Sequence, residues 1–179
     1  INPAVIRVKV NGGVGNFSSC AEMEFISNQP AKAITSECDF PTSEFAAYND
    51  IKVSPIVANS SASNFQQGEE IDKSFDGNFN TLYHSNYNTS STAFPISLVY
   101  NFDGNTPLDY LIYYPRQDGG INGNFGKVKI SYNTATNANY VELSSQDFLQ
   151  QNDARKVVFG SQIKPLNVKF EILDGRGSF

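Results

Sequence analysis

The chain has 179 residues, of which 13 are basic and 18 acidic, so its formal net charge is -5. That length fits one domain with an extension, or two very small domains. The acidic balance disfavours nucleic acid as a partner, because such affinity comes largely from cations on phosphates. No apolar stretch is long enough to cross a membrane, and residues 1–20 lack the regions of a signal peptide, so we expect none to be present.

Alternation of apolar and polar residues with a period of two predicts strands at residues 6–10, 128–132 and 168–172. More uniformly apolar runs predict interior strands at residues 96–100 and 110–114. Turns rich in Gly and Asn separate them, and only residues 144–152 have a weakly helical pattern. Many short strands with almost no helix predict an all-β fold, a sandwich or jelly roll.

An internal repeat changes the expected domain organisation. Residues 5–17 align with residues 167–179, and both segments are an alternating strand followed by Gly-x-Gly-x-Phe. This favours a tandem array, in which 1–26 end one module and 51–179 form the next, which lacks its own last strand. Residues 27–50 have no sustained periodicity and are interpreted as a connector. We expect 18–26, from the same chain or from a neighbouring molecule, to complete the main domain, because an open sheet edge exposes unpaired backbone.

Cysteine and histidine are too scarce for common catalytic centres. Cys20, Cys38 and His84 supply at most three ligands, whereas a structural zinc cage needs four. A serine or cysteine triad would have to use His84 as its only base. Cys20 and Cys38 form one disulfide or remain two buried thiols, and the sequence does not decide between them.

Oxygen donors are concentrated in residues 71–85, around an Asp-Gly-Asn turn. Asp76 offers a carboxylate, Asn78 an amide oxygen, Thr81 a hydroxyl and Lys73 a main-chain carbonyl. Ca²⁺ takes six to eight oxygens of such mixed types. The alternative is an ordinary turn of this class with no ion.

A second polar motif follows an apolar strand, where Pro115-Arg116-Gln117 runs into a loop rich in Gly and Asn. The guanidinium of Arg116 is a planar fork of donors suited to oxygen acceptors. The alternative is a surface arginine paired with a carboxylate such as Asp118.

The order Asp-Gly-Asn-x-x-Thr-x-Tyr-His-Ser, then Pro-Arg-Gln, resembles the discoidin or F5/8 type C domain, and more narrowly the family 32 carbohydrate-binding modules. The resemblance covers 51–179 and the 1–26 fragment. It implies a galactose-binding-like jelly-roll sandwich of about eight antiparallel strands with a structural Ca²⁺. By matching position, the implied ion ligands are Lys73 (carbonyl), Asp76, Asn78, Thr81, Ala21 and Glu22.

The same resemblance implies a shallow sugar site on these loops. His84 and Arg116 match a polar pair that grips hydroxyls, and Asn122 matches a third polar contact. Gln67 or Glu69 supplies one more, and Phe179 is the aromatic platform, unless Phe17 takes its place. The chemistry is reasonable because a pyranose presents hydroxyls around its edge and C–H groups on one face.

The function expected from the resemblance is non-catalytic binding of terminal galactose or N-acetylgalactosamine on glycans. The module would tether a secreted or surface bacterial enzyme that degrades glycans or glycoproteins, as part of a larger multidomain protein. The alternative is an adhesion domain for a protein or membrane surface, although loops rich in Asn and Gly disfavour lipid. An enzyme is disfavoured, since no motif supplies the carboxylate pair of a glycosidase or a nucleophile elbow.

Overall fold

The computed structural model describes residues 18–27, 50–88 and 93–177. The predicted strand at 6–10, Cys38, and both Phe17 and Phe179 lie outside the described residues. The described strands are β1 Ser18–Cys20, β2 Glu22–Ser27, β3 Ile51–Val53, β4 Ser61–Ala62, β5 Tyr83–His84, β6 Ile96–Asn101, β7 Leu108–Tyr114, β8 Gly123–Asn124, β9 Lys127–Thr134, β10 Asn137–Asp147, β11 Arg155–Ile163 and β12 Asn167–Ile172. Two short 3₁₀ helices cover Val57–Asn59 and Ile71–Ser74.

The strands form two principal sheets, which confirms the predicted all-β sandwich. One has the order β10-β9-β12-β6-β4 and the other β11-β7-β2-β3. A smaller sheet, β5-β1-β8, lies at one end and contains a parallel pair, β1 with β8. Alternation explains the packing: in β12, Val168, Phe170 and Ile172 are buried while the residues between them are half-buried.

The hydrophobic core lies between the two principal sheets and is rich in aromatic rings. Phe25 and Phe170 both contact Tyr100, with ring centroids 5.1 and 5.6 Å away respectively. Tyr113 stacks on Phe125 at 4.6 Å. Such contacts give rings of this size both buried area and a preferred orientation, so the core fixes β2, β6, β7 and β12 relative to one another.

The N-terminal segment lies inside this sandwich. Strand β2 pairs with β7 from Glu22 opposite Tyr114 to Ile26 opposite Tyr110, and on its other edge with β3. Every residue of β2 is buried. Ser27, which was assigned to the connector, is the last residue of β2, because it pairs with Ile51 across the sheet. The origin of residues 1–26 in a preceding module stays a prediction.

The predicted helical turn over residues 144–152 is wrong. Residues Ser144 to Asp147 continue β10 and pair with β9, for example Ser144 with Ile130. The chain then turns at Leu149 and Gln150, whose φ angles are 59° and 53°. Pairing with β9 satisfies the backbone groups that a helical turn would otherwise satisfy.

Of the two states expected for Cys20, the structure has the buried thiol. Cys20 is a free thiol with no exposed surface, and burial raises the pKa of that thiol.

Among the described residues, no helix is long and apolar enough to cross a membrane.

Candidate ligand and cation sites

The Asp-Gly-Asn turn holds its oxygens together through short local contacts. The backbone N–H of Asn78 donates to Asp76 Oδ1 at 2.8 Å, and the Thr81 hydroxyl lies 2.8 Å from Asp76 Oδ2. The same hydroxyl lies 2.8 Å from the backbone oxygen of Asn78. Gly77 has a φ of +80°, a conformation that favours glycine. Carboxylate, hydroxyl and carbonyl oxygens therefore face one another within a single turn.

Glu22 brings a second carboxylate to this turn from the N-terminal segment. Its side chain has no exposed surface, and Oε2 accepts a 3.3 Å hydrogen bond from the backbone N–H of Gly77. Oε1 lies 2.7 Å from Nζ of Lys52, whose side chain is 34% exposed. Burial raises the pKa of Glu22, and the ammonium of Lys52 opposes that rise. The fold thus places a buried carboxylate beside Asp76 and supplies it with a positive neighbour.

The donor set fits a hard cation. Asp76, Asn78 and Thr81 converge in the turn, and Glu22 reaches it through Gly77. Only two carboxylates are involved, and the described residues contain no cluster of three or more His, Cys, Asp or Glu side chains able to hold a metal. A cation here would need carbonyl, hydroxyl and amide oxygens as well, which Ca²⁺ accepts and zinc does not prefer.

The sugar-site residues predicted from the sequence are brought together by strand pairing around His84. The backbone N–H of Gln66 donates to the oxygen of His84 at 2.8 Å, and the N–H of His84 donates to the oxygen of Glu69 at 3.2 Å. Gly68, with a φ of +87°, allows the tight turn between them. Glu69 therefore lies beside His84, whereas Gln67 at the tip of the turn is exposed.

Strand β1 joins His84 to the loop that carries Asn122. Ser19 pairs with His84 of β5 on one side and with Asn124 of β8 on the other. The hydroxyl of Ser19 also donates a 2.9 Å hydrogen bond to the backbone oxygen of Asn122. The relative position of the two loops thus depends on the N-terminal segment.

Arg116 lies between these loops and is partly engaged. Its Nε donates to Asp118 Oδ1 at 2.7 Å and its Nη2 to Asp118 Oδ2, while Nη1 donates to the backbone oxygen of Asn122 at 3.1 Å. The pairing of Arg116 with Asp118, which was the alternative to a ligand-binding role, is therefore present in the structure. This pair raises the pKa of Arg116 and lowers that of Asp118. Three of the five N–H donors of a guanidinium are used in this way.

His84 is more enclosed than the resemblance implies. The residue is 3% exposed, and Nδ1 lies 2.6 Å from the backbone oxygen of Ser85. Burial lowers the pKa of His84 to about 4, with the charge of Arg116 acting in the same direction. The ring is therefore neutral at physiological pH, and only a small part of it can reach a ligand.

Three buried acceptors beside these residues have no hydrogen-bond partner in the described part of the chain. They are Oε1 of Gln66, Oε2 of Glu69 and Oδ1 of Asn122. Buried polar atoms of this kind are costly unless something donates to them. Glu69 also feels the charge of Arg116, although burial, the larger effect, raises the pKa of its carboxyl. The patch therefore contains acceptors that the described part of the chain leaves unsatisfied.

Sequence reasoning missed several residues of this region. The ring of Tyr87 lies nearly perpendicular to that of His84, with ring centroids 5.2 Å apart, and Tyr87 is 43% exposed. An aromatic residue three positions after His84 was a signal that could have identified it. Ser19, Gln66 and Lys52 had no such local signal, because their contacts cross between distant segments.

Residues 56–179 match the family model of the F5/8 type C domain. The chain belongs to this family. The match to the F5/8 type C domain includes the Asp76 turn, His84, Arg116 and Asn122, while β1 to β3 precede it. The comparison with curated proteins gives no match.

Two solved structures resemble this F5/8 type C domain. One is the family 32 carbohydrate-binding module of NanJ from C. perfringens, in complex with galactose, with 24% identity and a TM-score of 0.56 over 65% of this chain and 82% of that one. The other is CpGH89CBM32-5 from Clostridium perfringens, in complex with GalNAc-β-1,3-galactose, with 22% identity and a TM-score of 0.58 over 65% of this chain and 84% of that one. These similarities confirm the discoidin-like sandwich.

Proposed function

We propose that this F5/8 type C domain is a non-catalytic carbohydrate-binding module for terminal galactose or N-acetylgalactosamine. The observation that carries this function is the partly exposed guanidinium of Arg116, which lies near the half-buried Glu69. A sugar hydroxyl both donates and accepts, so one ring edge can donate to Glu69 and accept from Arg116.

Stacking completes this binding mode. The exposed ring of Tyr87 stands against His84 and offers an apolar surface for the C–H face of a pyranose. His84 then acts mainly by holding Tyr87 and by packing beneath the sugar, with little direct contact. Phe179 remains a predicted second platform. The ligands of the two similar structures, galactose and GalNAc-β-1,3-galactose, have the required chemistry.

The arrangement of carboxyl groups supports binding without catalysis. Glycoside hydrolysis uses two carboxyl groups, one as acid and one as base or nucleophile. In this patch Asp118 is held by Arg116 through two hydrogen bonds, which lowers its pKa. Of the other two described carboxyl groups at this point, Glu69 is half-buried and Glu70 accepts a hydrogen bond from the backbone N–H of Gly68, an arrangement that suits contacts with hydroxyl groups.

A structural Ca²⁺ accompanies the proposed binding site. Its ligands would come from Asp76, Asn78, Thr81 and Glu22, with main-chain oxygens of Lys73 and Ala21. When bound, the ion supplies positive charge that neutralises two carboxylates and stabilises the turn. Asp76 and Glu22 hold it from the main domain and the N-terminal segment, respectively, which ties that segment to the sandwich.

We infer that the module is part of a larger secreted or surface protein of a bacterium. There it would tether an enzyme that degrades glycans or glycoproteins to its substrate. Shallow sites bind weakly, and linked copies raise the overall affinity through effective concentration. The repeat of 5–17 at 167–179 is consistent with such an array.

A glycan array with the full chain tests this function. Retention on galactose- and N-acetylgalactosamine-terminated glycans should be lost in Arg116→Ala and kept in Lys164→Ala, which removes an exposed cation at the opposite end of β7. Equal retention of Arg116→Ala and wild type would reject the site. Binding to vesicles or to a protein surface, with no glycan retained, would favour the adhesion alternative.

A further inference from the structure

The edge with which a guanidinium grips an anion is already occupied in Arg116. Its Nε donates to Asp118 Oδ1 at 2.7 Å, and its Nη2 donates to Oδ2 of the same carboxylate. A guanidinium binds a carboxylate, sulfate or phosphate most strongly through two parallel N–H donors of this kind. Because Asp118 takes both donors, an anionic ligand finds no such pair on this edge.

Two further hydrogen bonds hold the ion pair in this arrangement. The backbone N–H of Gly120 donates to Asp118 Oδ1 at 3.1 Å, and Nη1 of Arg116 donates to the backbone oxygen of Asn122 at 3.1 Å. The side chain of Arg116 is 18% exposed and that of Asp118 is 46% exposed. The loop of residues 116–122 therefore orients both charged groups while leaving part of each accessible to a ligand.

Gly120 provides the space in which the guanidinium lies. A β-carbon at position 120 would be 2.8 Å from Nε and 3.0 Å from Cζ of Arg116, and the first of these distances is closer than β-carbons come to other heavy atoms. Gly119 has a φ of +85°, whereas Gly120 has no positive φ, so close approach of Arg116 is what favours glycine there. A larger residue would displace the flexible Arg116 side chain rather than the backbone.

The loops around Arg116 carry more negative than positive charge. Glu69 lies near enough for its charge and that of Arg116 to affect each other. Even with Arg176, whose backbone bonds to β8, acidic side chains outnumber basic ones by three to two. The side chains of residues 64–70, 83–88 and 115–124 that carry a full charge at neutral pH are Glu69, Glu70, Arg116 and Asp118.

We propose that the pairing of Arg116 with Asp118 makes this site selective for uncharged sugars, so that it excludes sugars that carry a carboxylate or a sulfate. This inference rests on the proposed function and adds the charge class of the ligand. Asp118 neutralises and orients the guanidinium, and Gly120 leaves room for it, so both are positioning residues that act through Arg116. The two remaining N–H donors of Arg116 bind hydroxyl oxygens.

Two galactose derivatives that differ in charge but little in shape test this selectivity. They are the methyl β-glycoside of galacturonic acid, with a carboxylate at C6, and its C6 carboxamide, and methyl β-galactoside is the reference. NMR titration of the full chain at neutral pH measures all three affinities. We expect the wild-type chain to bind the carboxylate about tenfold more weakly than the carboxamide, because the carboxylate meets like charges and no free pair of donors.

Asp118→Asn should reduce that selectivity, because it removes the neutralising charge and keeps an oxygen for Nε of Arg116. The difference between carboxylate and carboxamide should fall from about tenfold to about twofold. Asp103→Asn is the matched control: it also removes one negative charge from a turn in which the carboxylate accepts backbone hydrogen bonds. Asp103 precedes β7, at the opposite end from Arg116, so the control should keep the wild-type ratio.

Gly120→Ala tests the positioning of the guanidinium. It should shift the NMR signal of the Arg116 Nε–H, which reports the bond to Asp118, and weaken binding of methyl β-galactoside several-fold. Gly160→Ala is the control, since a β-carbon there meets nothing within 4 Å, and it should change neither. An Arg116 signal in Gly120→Ala identical to that of the wild type would overturn the role of Gly120.

The titrations separate this inference from the proposed function. Equal affinity of the wild-type chain for carboxylate and carboxamide would overturn the selectivity, and so would a ratio that Asp118→Asn leaves unchanged. In both cases, binding of methyl β-galactoside would leave the proposed function standing. If none of the three sugars binds, the proposed function fails and the selectivity fails with it.

Discussion

The hydroxyl of Ser19 donates a 2.9 Å hydrogen bond to the backbone oxygen of Asn122, although 103 positions separate the two residues. Ser19 is at the same time paired with His84. One residue of the N-terminal segment therefore sets the distance between the two loops that carry the proposed sugar contacts. On the proposed function, binding and folding of this domain are therefore linked through Ser19.

Ser19→Ala should weaken both stability and glycan binding. Removing one partner of this partly buried hydrogen bond costs about 1 kcal/mol, and the loop of Asn122 loses its anchor. Urea denaturation and glycan affinity should change together. Ser161→Ala, at an exposed position of β11, is the matched control and should change neither. A normal glycan affinity in Ser19→Ala would contradict the anchoring role.

Lys52→Met should destabilise the chain because it leaves the buried carboxylate of Glu22 without its ion-pair partner. The expected loss is about 1–3 kcal/mol in the free energy of unfolding, measured by urea denaturation with a chelator present. Glu22→Gln combined with Lys52→Met should recover part of that loss, since the buried charge at position 22 is then removed, while Glu24, 3.7 Å from Nζ of Lys52, still loses its cation. A double variant as unstable as the sum of the single variants would show that the two side chains act independently.

Calcium should raise the unfolding temperature of the wild-type chain, because a ligand that binds only the folded state stabilises it. The increase should disappear in Asp76→Asn, which removes a proposed ligand. Asp103→Asn is the control: Asp103 also accepts hydrogen bonds within a turn, from Asn105 and Thr106, but has no proposed contact with the ion. Loss of the calcium effect in both variants, or its persistence in Asp76→Asn, would count against the cation site.

Acid should destabilise the fold through His84. Its pKa falls from 6.5 to about 4 in the folded protein, so the unfolded chain binds more protons between these values. The contribution of the neutral ring is complete above pH 6.5 and is lost as the pH falls toward 4, at up to about 1.4 kcal/mol per pH unit. Burial raises the pKa values of Glu22 and Glu69, and these groups act in the opposite direction.

The difference between wild type and His84→Gln isolates the histidine, because both proteins keep the two carboxyl groups. Urea midpoints measured from pH 7 down to pH 4 should fall more steeply in the wild type. Parallel curves for the two proteins would refute the pKa assignment.

Tyr87→Ala should reduce affinity for galactose-type glycans by about fivefold, since stacking of an aromatic ring is worth roughly 1 kcal/mol. Phe79→Ala is the comparison, because Phe79 is similarly exposed but contacts Tyr114 and not His84. Isothermal titration with galactose measures both. An unaltered affinity in Tyr87→Ala would show that Tyr87 does not stack on the sugar. Phe179 would then remain as the predicted aromatic platform.

The sequence predicted those strands whose apolar residues are buried, such as β7, β9 and β12. It failed for β10, where Val141 and most neighbours are exposed, so the apolar alternation is weak. The position of Arg116 near His84 and Asn122 was predicted through family resemblance. The contacts of Ser19 with Asn122 and of Lys52 with Glu22 were not, because they depend on pairings across 103 and 30 positions that no local pattern encodes.

The buried thiol of Cys20 makes departure of the N-terminal segment directly observable. Since Cys20 has no exposed surface in β1, a thiol reagent can reach it only after that strand has opened. In a Cys38→Ser background, the rate at which the reagent modifies the Cys20 thiol therefore measures how often the N-terminal segment leaves the sandwich. The native sulfur of Cys20 reports this opening without an added probe.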